Sequence, residues 1–134
     1  MTEPLDEEML ALAHRVFDLA RSGERDELAA LVGVGVPANL TNDKGDTLLI
    51  LAAYHDHPST VQMLLDHGAD TSRVNDRGQT ALAAAVFRKS RDGVGALLAK
   101  GADPDLGSPS ARHVARFFEL PEMLVLLDTA TEAC

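Results

Sequence analysis

An all-α repeat solenoid is the fold this sequence predicts, and three observations predict it. The first is a repeat. Asn42-Asp43-Lys44-Gly45-Asp46-Thr47 returns as Asn75-Asp76-Arg77-Gly78-Gln79-Thr80, Leu64-Leu65 as Leu97-Leu98, and Gly68-Ala69-Asp70 as Gly101-Ala102-Asp103, each 33 residues later. The second is composition. Hydrophobic residues make up 46% of the 134, and 20 Leu and 20 Ala stand against ten Val and one Ile, so the core formers favour helix over strand. The third is that turn and cap residues recur at fixed places in each repeat.

Four units fill nearly the whole of one domain over residues 1–134, at about 6–41, 42–74, 75–107 and 108–128, with 129–134 left as a frayed tail. Upstream, Leu31-Val32 and Gly35 fall on repeat positions. Downstream the step shortens to 30, which places Ser110-Ala111-Arg112-His113-Val114-Ala115 against Thr47 to Ala52. Each unit reads as a turn followed by two antiparallel helices. Asn-Asp-Lys-Gly is turn chemistry, with Gly45 and Gly78 available for positive φ. Thr47, Thr80 and Ser110 sit where a hydroxyl can cap a helix N-terminus. A short Ala/Leu helix follows, such as Leu48 to Tyr54. Pro58 and Pro121 suit the first position of the second helix, where a proline forfeits no hydrogen bond. Gly68 and Gly101 stop that helix. In the first unit, Asp6-Glu7-Glu8 fits the first turn of a helix, where the macrodipole favours negative charge. No helix pair can bury its apolar face alone, so stacking builds the core.

Gly45-Asp46-Thr47-Leu48-Leu49-Ile50-Leu51-Ala52-Ala53 with Gly68-Ala69-Asp70, and Gly78-Gln79-Thr80-Ala81-Leu82 with Gly101-Ala102-Asp103, resemble the ankyrin repeat pattern. His113 stands at that family's histidine position. The family's turn proline is replaced by Leu48, Ala81 and Ala111. The first unit has His14 in place of the Thr, and the fourth lacks Gly-Ala-Asp; these departures at the two ends read as capping repeats. The fold expected is therefore an ankyrin repeat solenoid of about four helix-turn-helix units joined by β-turn or hairpin loops. The resemblance implies a protein-binding module without chemistry of its own, met by its partner on the concave side, along the turn tips and the exposed ends of the first helices.

Carried onto this chain, the turn tips are Asp43, Lys44, Asp46, Arg77 and Gln79, with Pro109 in the fourth unit. The helix ends are Tyr54-His55 and Phe87-Arg88, flanked by Arg21-Ser22 and Phe117-Phe118. Three of the five aromatic residues, Tyr54, Phe87 and Phe117, hold one repeat position in successive units. Equivalent positions lie side by side in a stacked array, so the rings should form a row, extended by Phe118 and bordered by Arg21, His55 and Arg88. Aromatic residues and Arg dominate binding hot spots. The competing reading is that these rings fill gaps between helices, and for Phe117 and Phe118 that they are buried in the terminal cap.

Other classes fare poorly. The formal charge is −9, and all of it lies in residues 1–70, with 13 acidic and four basic side chains against eight of each in 71–134. Such a surface repels nucleic acid and suits a partner with a basic or mixed-charge surface. Apolar runs are too short to span a membrane, and the acidic N-terminus has no signal-peptide character. The lone Cys134 forms no internal disulfide and fits a reducing cytoplasm. The five histidines (His14, His55, His57, His67 and His113) show no metal-ligand spacing, so neither a metal nor a cofactor is expected. No nucleophile or phosphate-cradling loop can be placed, and catalysis is not expected. Arg outnumbers Lys nine to three, a high-GC habit that points to a bacterial source, and the irregular repeats argue against an idealised design. The expectation is an acidic, cytoplasmic binding module, a monomer with homodimerisation as an option, that inhibits, stabilises or recruits an enzyme. The alternatives are a small-ligand binder using the aromatic groove and a self-associating scaffold.

Overall fold

A computed structural model of the chain describes residues 4–132. Eight helices follow one another among these residues: α1 (Pro4–Ser22), α2 (Arg25–Gly33), α3 (Leu48–Tyr54), α4 (Pro58–Asp66), α5 (Ala81–Phe87), α6 (Arg91–Ala99), α7 (Ala111–Phe117) and α8 (Pro121–Glu132). Consecutive helices pack as pairs, and the pairs stack. α1, α3, α5 and α7 lie side by side in one layer, with α2, α4, α6 and α8 in a second layer behind them. The architecture is an all-α repeat solenoid. Residues 129–132, expected to fray, continue α8. Cys134 lies outside the described residues.

Local chemistry explains where the helices begin. The hydroxyls of Thr47, Thr80 and Ser110 accept hydrogen bonds from the backbone N–H groups of Ile50 (3.0 Å), Ala83 (3.1 Å) and His113 (3.1 Å). Each thereby satisfies one of the donors that a helix N-terminus leaves orphaned. Pro58 stands at the start of α4 and Pro121 at the start of α8.

The turns before α3 and α5 are built around Asn42 and Asn75. Asn42 Oδ1 accepts from Lys44 N (2.9 Å) and Asp46 N (3.0 Å), and Asn75 Oδ1 from Arg77 N and Gln79 N (both 2.9 Å). Successive turns are also tied to each other, because Asp76 N donates to Lys44 O (3.0 Å) and Ser108 N to Gly78 O (2.8 Å). At Gly78 the backbone has φ +80°, and a Cβ would lie 2.5 Å from Ser108 O. Glycine is required there twice over, by conformation and by the close approach of the next turn.

The core runs between the layers. Leu48, Leu49, Leu64, Leu82, Leu97 and Leu127 are completely or almost completely buried, with Val16, Val61, Val86 and Val94 among them. In α3 every residue but the last, Tyr54, is buried, and in α5 every residue but the last, Phe87. The short Ala-rich helices are thus submerged and present only their C-terminal ends. That is what places aromatic rings on the surface. Among the described residues, no helix is long and apolar enough to cross a membrane.

Candidate functional site: a recessed face lined with aromatic rings

The layer of α1, α3, α5 and α7, together with the turn tips, forms a recessed face with three depressions. The largest, about 930 Å³, lies between α1, the turn at 41–46 and α3. A smaller one of about 230 Å³ is enclosed by Tyr54, Ala83, Phe87, Pro109 and Phe118. A third, about 640 Å³, lies between the turn at 107–110 and the Phe117-Phe118 end of α7.

Tyr54, Phe87, Phe118 and Phe117 are 36%, 44%, 50% and 70% exposed, an uncommon amount for large rings. Phe117 and Phe118 therefore lie at the surface, and the alternative of burial in the terminal cap does not describe them. Their contacts do not follow the expected row of equivalent positions. Between units they run diagonally, from the last residue of one helix to the residue after the last in the next unit. Phe118 packs edge-on against Phe87, with centroids 5.4 Å apart, and Phe117 edge-on against Phe118 at 5.0 Å. Arg88 follows the same diagonal: its guanidinium lies 5.5 Å above the Tyr54 ring, and its Nε donates to the Tyr54 carbonyl. A cation over an aromatic face is held by the ring quadrupole. The ends of α5 and α7 therefore each support the ring of the unit before.

Asp43, Lys44 and Arg77 stand exposed on the turn tips, Pro109 is exposed, and Gln79 is half-buried. Asp46 differs from its expected place at an exposed tip. It is 6% exposed and accepts a 2.7 Å hydrogen bond from Asn75 Nδ2, so it ties one turn to the next inside the fold. Asn75 Nδ2 also donates to Gln79 Oε1, which draws Gln79 partly into the same network. Arg21 is exposed and pairs with Asp18 at 2.8 Å. His55 is half-buried and meets Tyr54 edge-on at 5.3 Å.

Four contributors were not identified from the sequence. His113 stacks on Phe117 at 6.3 Å, one helical turn away, a spacing that could have suggested it. His57 lies over Gly23 of the first unit, with Nε2 2.7 Å from the Arg21 carbonyl. Leu10 and His14 of α1 line the largest depression, because α1 is 19 residues long where α3, α5 and α7 have seven.

The electrostatics at this face have clear causes. Burial lowers the His55 pKa from its ordinary 6.5, and Arg88, His57 and Arg21 lower it further by like-charge repulsion. At the last unit, Arg112 is held between Asp105 (2.8 Å) and Asp128, which raises its pKa and fastens the preceding turn to α8. Among the described residues, no group of His, Cys, Asp and Glu is arranged to hold a metal ion.

These features agree with comparisons to known proteins. An ankyrin repeat protein of Pseudomonas aeruginosa is 49% identical over 59 residues, which is 44% of this chain and 34% of that relative. The chain thus spans about a third of the length of the curated relative it matches. The family described as ankyrin repeats (3 copies) matches residues 16–108 and stops where the shortened last step begins. Both matches fall on a chain whose turns, hydroxyl caps and layered helix pairs repeat as described, and it belongs to the ankyrin repeat family.

Proposed function

We propose that this chain docks a partner protein on the recessed face, with Tyr54, Phe87 and Phe118 as anchors and with Arg21, His55, Arg88 and the tips Asp43, Lys44 and Arg77 around them. Ankyrin repeats are generally protein–protein interaction modules, and the family's fold is a non-catalytic interaction fold. The observation that carries the reading is the exposed, mutually supported set of rings at the ends of helices of which α3 and α5 are otherwise submerged. Exposed large apolar groups grouped together mark interaction surfaces, and aromatic and Arg residues supply most of the energy at such surfaces. The acidic chain favours encounter with a basic or mixed-charge partner at long range. A partner held this way would be inhibited, stabilised or recruited in the cytoplasm.

The test is a pull-down from the soluble lysate of the source organism, comparing wild type with Tyr54→Ala/Phe87→Ala. Both rings are exposed, so the double variant should melt within a few degrees of wild type. A protein retained by the wild type and lost from the variant is the expected result. Retention of the same protein by both would remove the rings from the docking surface, and a large fall in melting temperature would make them structural.

A further inference from the structure

In a chain of net charge −9, one edge of the recessed face is locally cationic. Arg21, His55, His57 and Arg88 come from three successive units and meet at the C-terminal ends of α1, α3 and α5. His57 Nε2 lies 2.7 Å from the Arg21 carbonyl, His55 meets the Tyr54 ring edge-on, and the Arg88 guanidinium lies over the Tyr54 ring. The groups that act electrostatically on His55 are Arg88, His57 and Arg21, and every one of them is cationic or can become so. Of the carboxylates nearby in sequence, Asp18 is engaged by Arg21, and Asp56 occupies the connection after α3. Among the described residues Arg88 has no ion pair; it spends its Nε on the Tyr54 carbonyl. Its other guanidinium donors remain available, and a guanidinium engages carboxylates bidentately.

Resting on the docking reading above, we propose that the segment seated on this face is acidic, with its carboxylates on Arg88, His55 and Arg21 and its apolar side chains on Tyr54, Phe87 and Phe118. Charge complementarity decides the chemistry. A basic segment would bring cations against the Arg88 and Arg21 guanidinium groups, whereas a carboxylate can pair with the Arg88 donors that no carboxylate among the described residues engages. The apolar requirement follows from the 230 Å³ depression lined by Tyr54, Phe87 and Phe118, whose volume has room for a side chain of Leu or Phe size. Net charge and local charge therefore select at different ranges. The partner can be of mixed charge as a whole and still offer an acidic segment at contact.

The experiment measures biolayer interferometry binding of the full chain to three biotinylated peptide pools. Each pool has Leu and Phe at fixed positions, and the remaining positions are Asp/Glu, Lys/Arg or Ser/Asn. The acidic pool should bind at least tenfold more tightly than the other two, and the preference should shrink as salt is raised. Arg88→Gln and Arg21→Gln should each weaken the acidic pool about fivefold while the melting temperature stays within a few degrees of wild type. Arg88→Lys should retain part of the affinity, since it keeps the charge and loses the fork. Tighter binding of the basic or neutral pool would overturn the acidic assignment and leave the docking reading standing. No binding by any pool would overturn both. Concentration-dependent self-association of the wild type, abolished in Arg88→Gln, would make a second copy the occupant and overturn the assignment to a partner.

Discussion

Helices α5 and α7 have the same length and the same kind of hydroxyl cap, yet α5 buries six of its seven residues and α7 only three. The sequences differ accordingly, Ala-Leu-Ala-Ala-Ala-Val-Phe against Ala-Arg-His-Val-Ala-Arg-Phe. α5 is packed on both sides, by α3 and α7, whereas among the described residues α7 has α5 on one side and no helix on the other. In a solenoid each unit contacts only its neighbours, so burial is a property of position in the stack. The mostly buried Arg112 of α7 reaches back to Asp105 and forward to Asp128, which ties α7 to the turn before it and to its paired helix α8. The same lack of a neighbour leaves Phe117 70% exposed while Phe87, its equivalent, leans on Phe118.

The largest test of this comparison is in the outer layer. Leu97 of α6 is fully buried, so Leu97→Ala should cost about 2–5 kcal/mol in denaturant unfolding. Leu124 of α8, at the repeat position that the fully buried Val94 holds in α6, is only half-buried, and Leu124→Ala should cost about half as much. Equal costs would mean that the terminal unit is as tightly packed as the interior ones.

A smaller effect separates the first unit from the other three. The connection between paired helices passes through a left-handed residue each time, Gly23 (φ 76°), Asp56 (64°), Lys89 (59°) and Glu119 (55°). Only the first is glycine. Gly23→Ala should destabilise by about 1–2 kcal/mol, since the left-handed conformation disfavours a Cβ and this one would lie 2.4 Å from His57 Nδ1. Lys89→Gly should instead raise stability by up to about 1 kcal/mol, the relieved strain exceeding the added freedom of the unfolded chain. A loss of stability in Lys89→Gly would show that its side chain contributes more than its backbone costs.

The smallest effect is the pH dependence at the interior helix end. His55 has a pKa below 6.5 when folded, so the unfolded chain takes up its proton first as pH falls. Its contribution is fully present above about pH 6.5 and is lost as the pH falls below that value. Asp70 is also lowered, by hydrogen bonds from the Ser72 side chain and backbone and then by Arg73, so its contribution is present above pH 3.8 and lost as pH falls below it. Thermal melts of wild type and His55→Gln between pH 8 and 5 should converge at the acidic end. Parallel profiles would remove His55 as the source of the slope.

Much of this molecule was legible from residues alone. Thr47, Thr80 and Ser110 announced three helix starts, and Asn42 and Asn75 announced two turns, because each such device closes hydrogen bonds within about four residues of itself. The 33-residue register carried these local devices into a stack, and with it the layer order of the helices. The exposed ends of α3 and α5 followed from the same register. Asp46 was not legible, because its burial depends on Asn75, which reaches it from the following repeat. Nor was the diagonal that sets Phe118 on Phe87 and Arg88 on Tyr54, which depends on how far each unit is displaced relative to the last.

The sequence by itself determined the kind of unit, where its helices start and how often it recurs, since caps, turns and apolar spacing act over a few residues. Only the tertiary structure decided which side of each unit is covered, which turn carboxylate is buried, and which rings and cations meet. Those outcomes arise between units, where a side chain's surroundings are supplied by residues some thirty positions away.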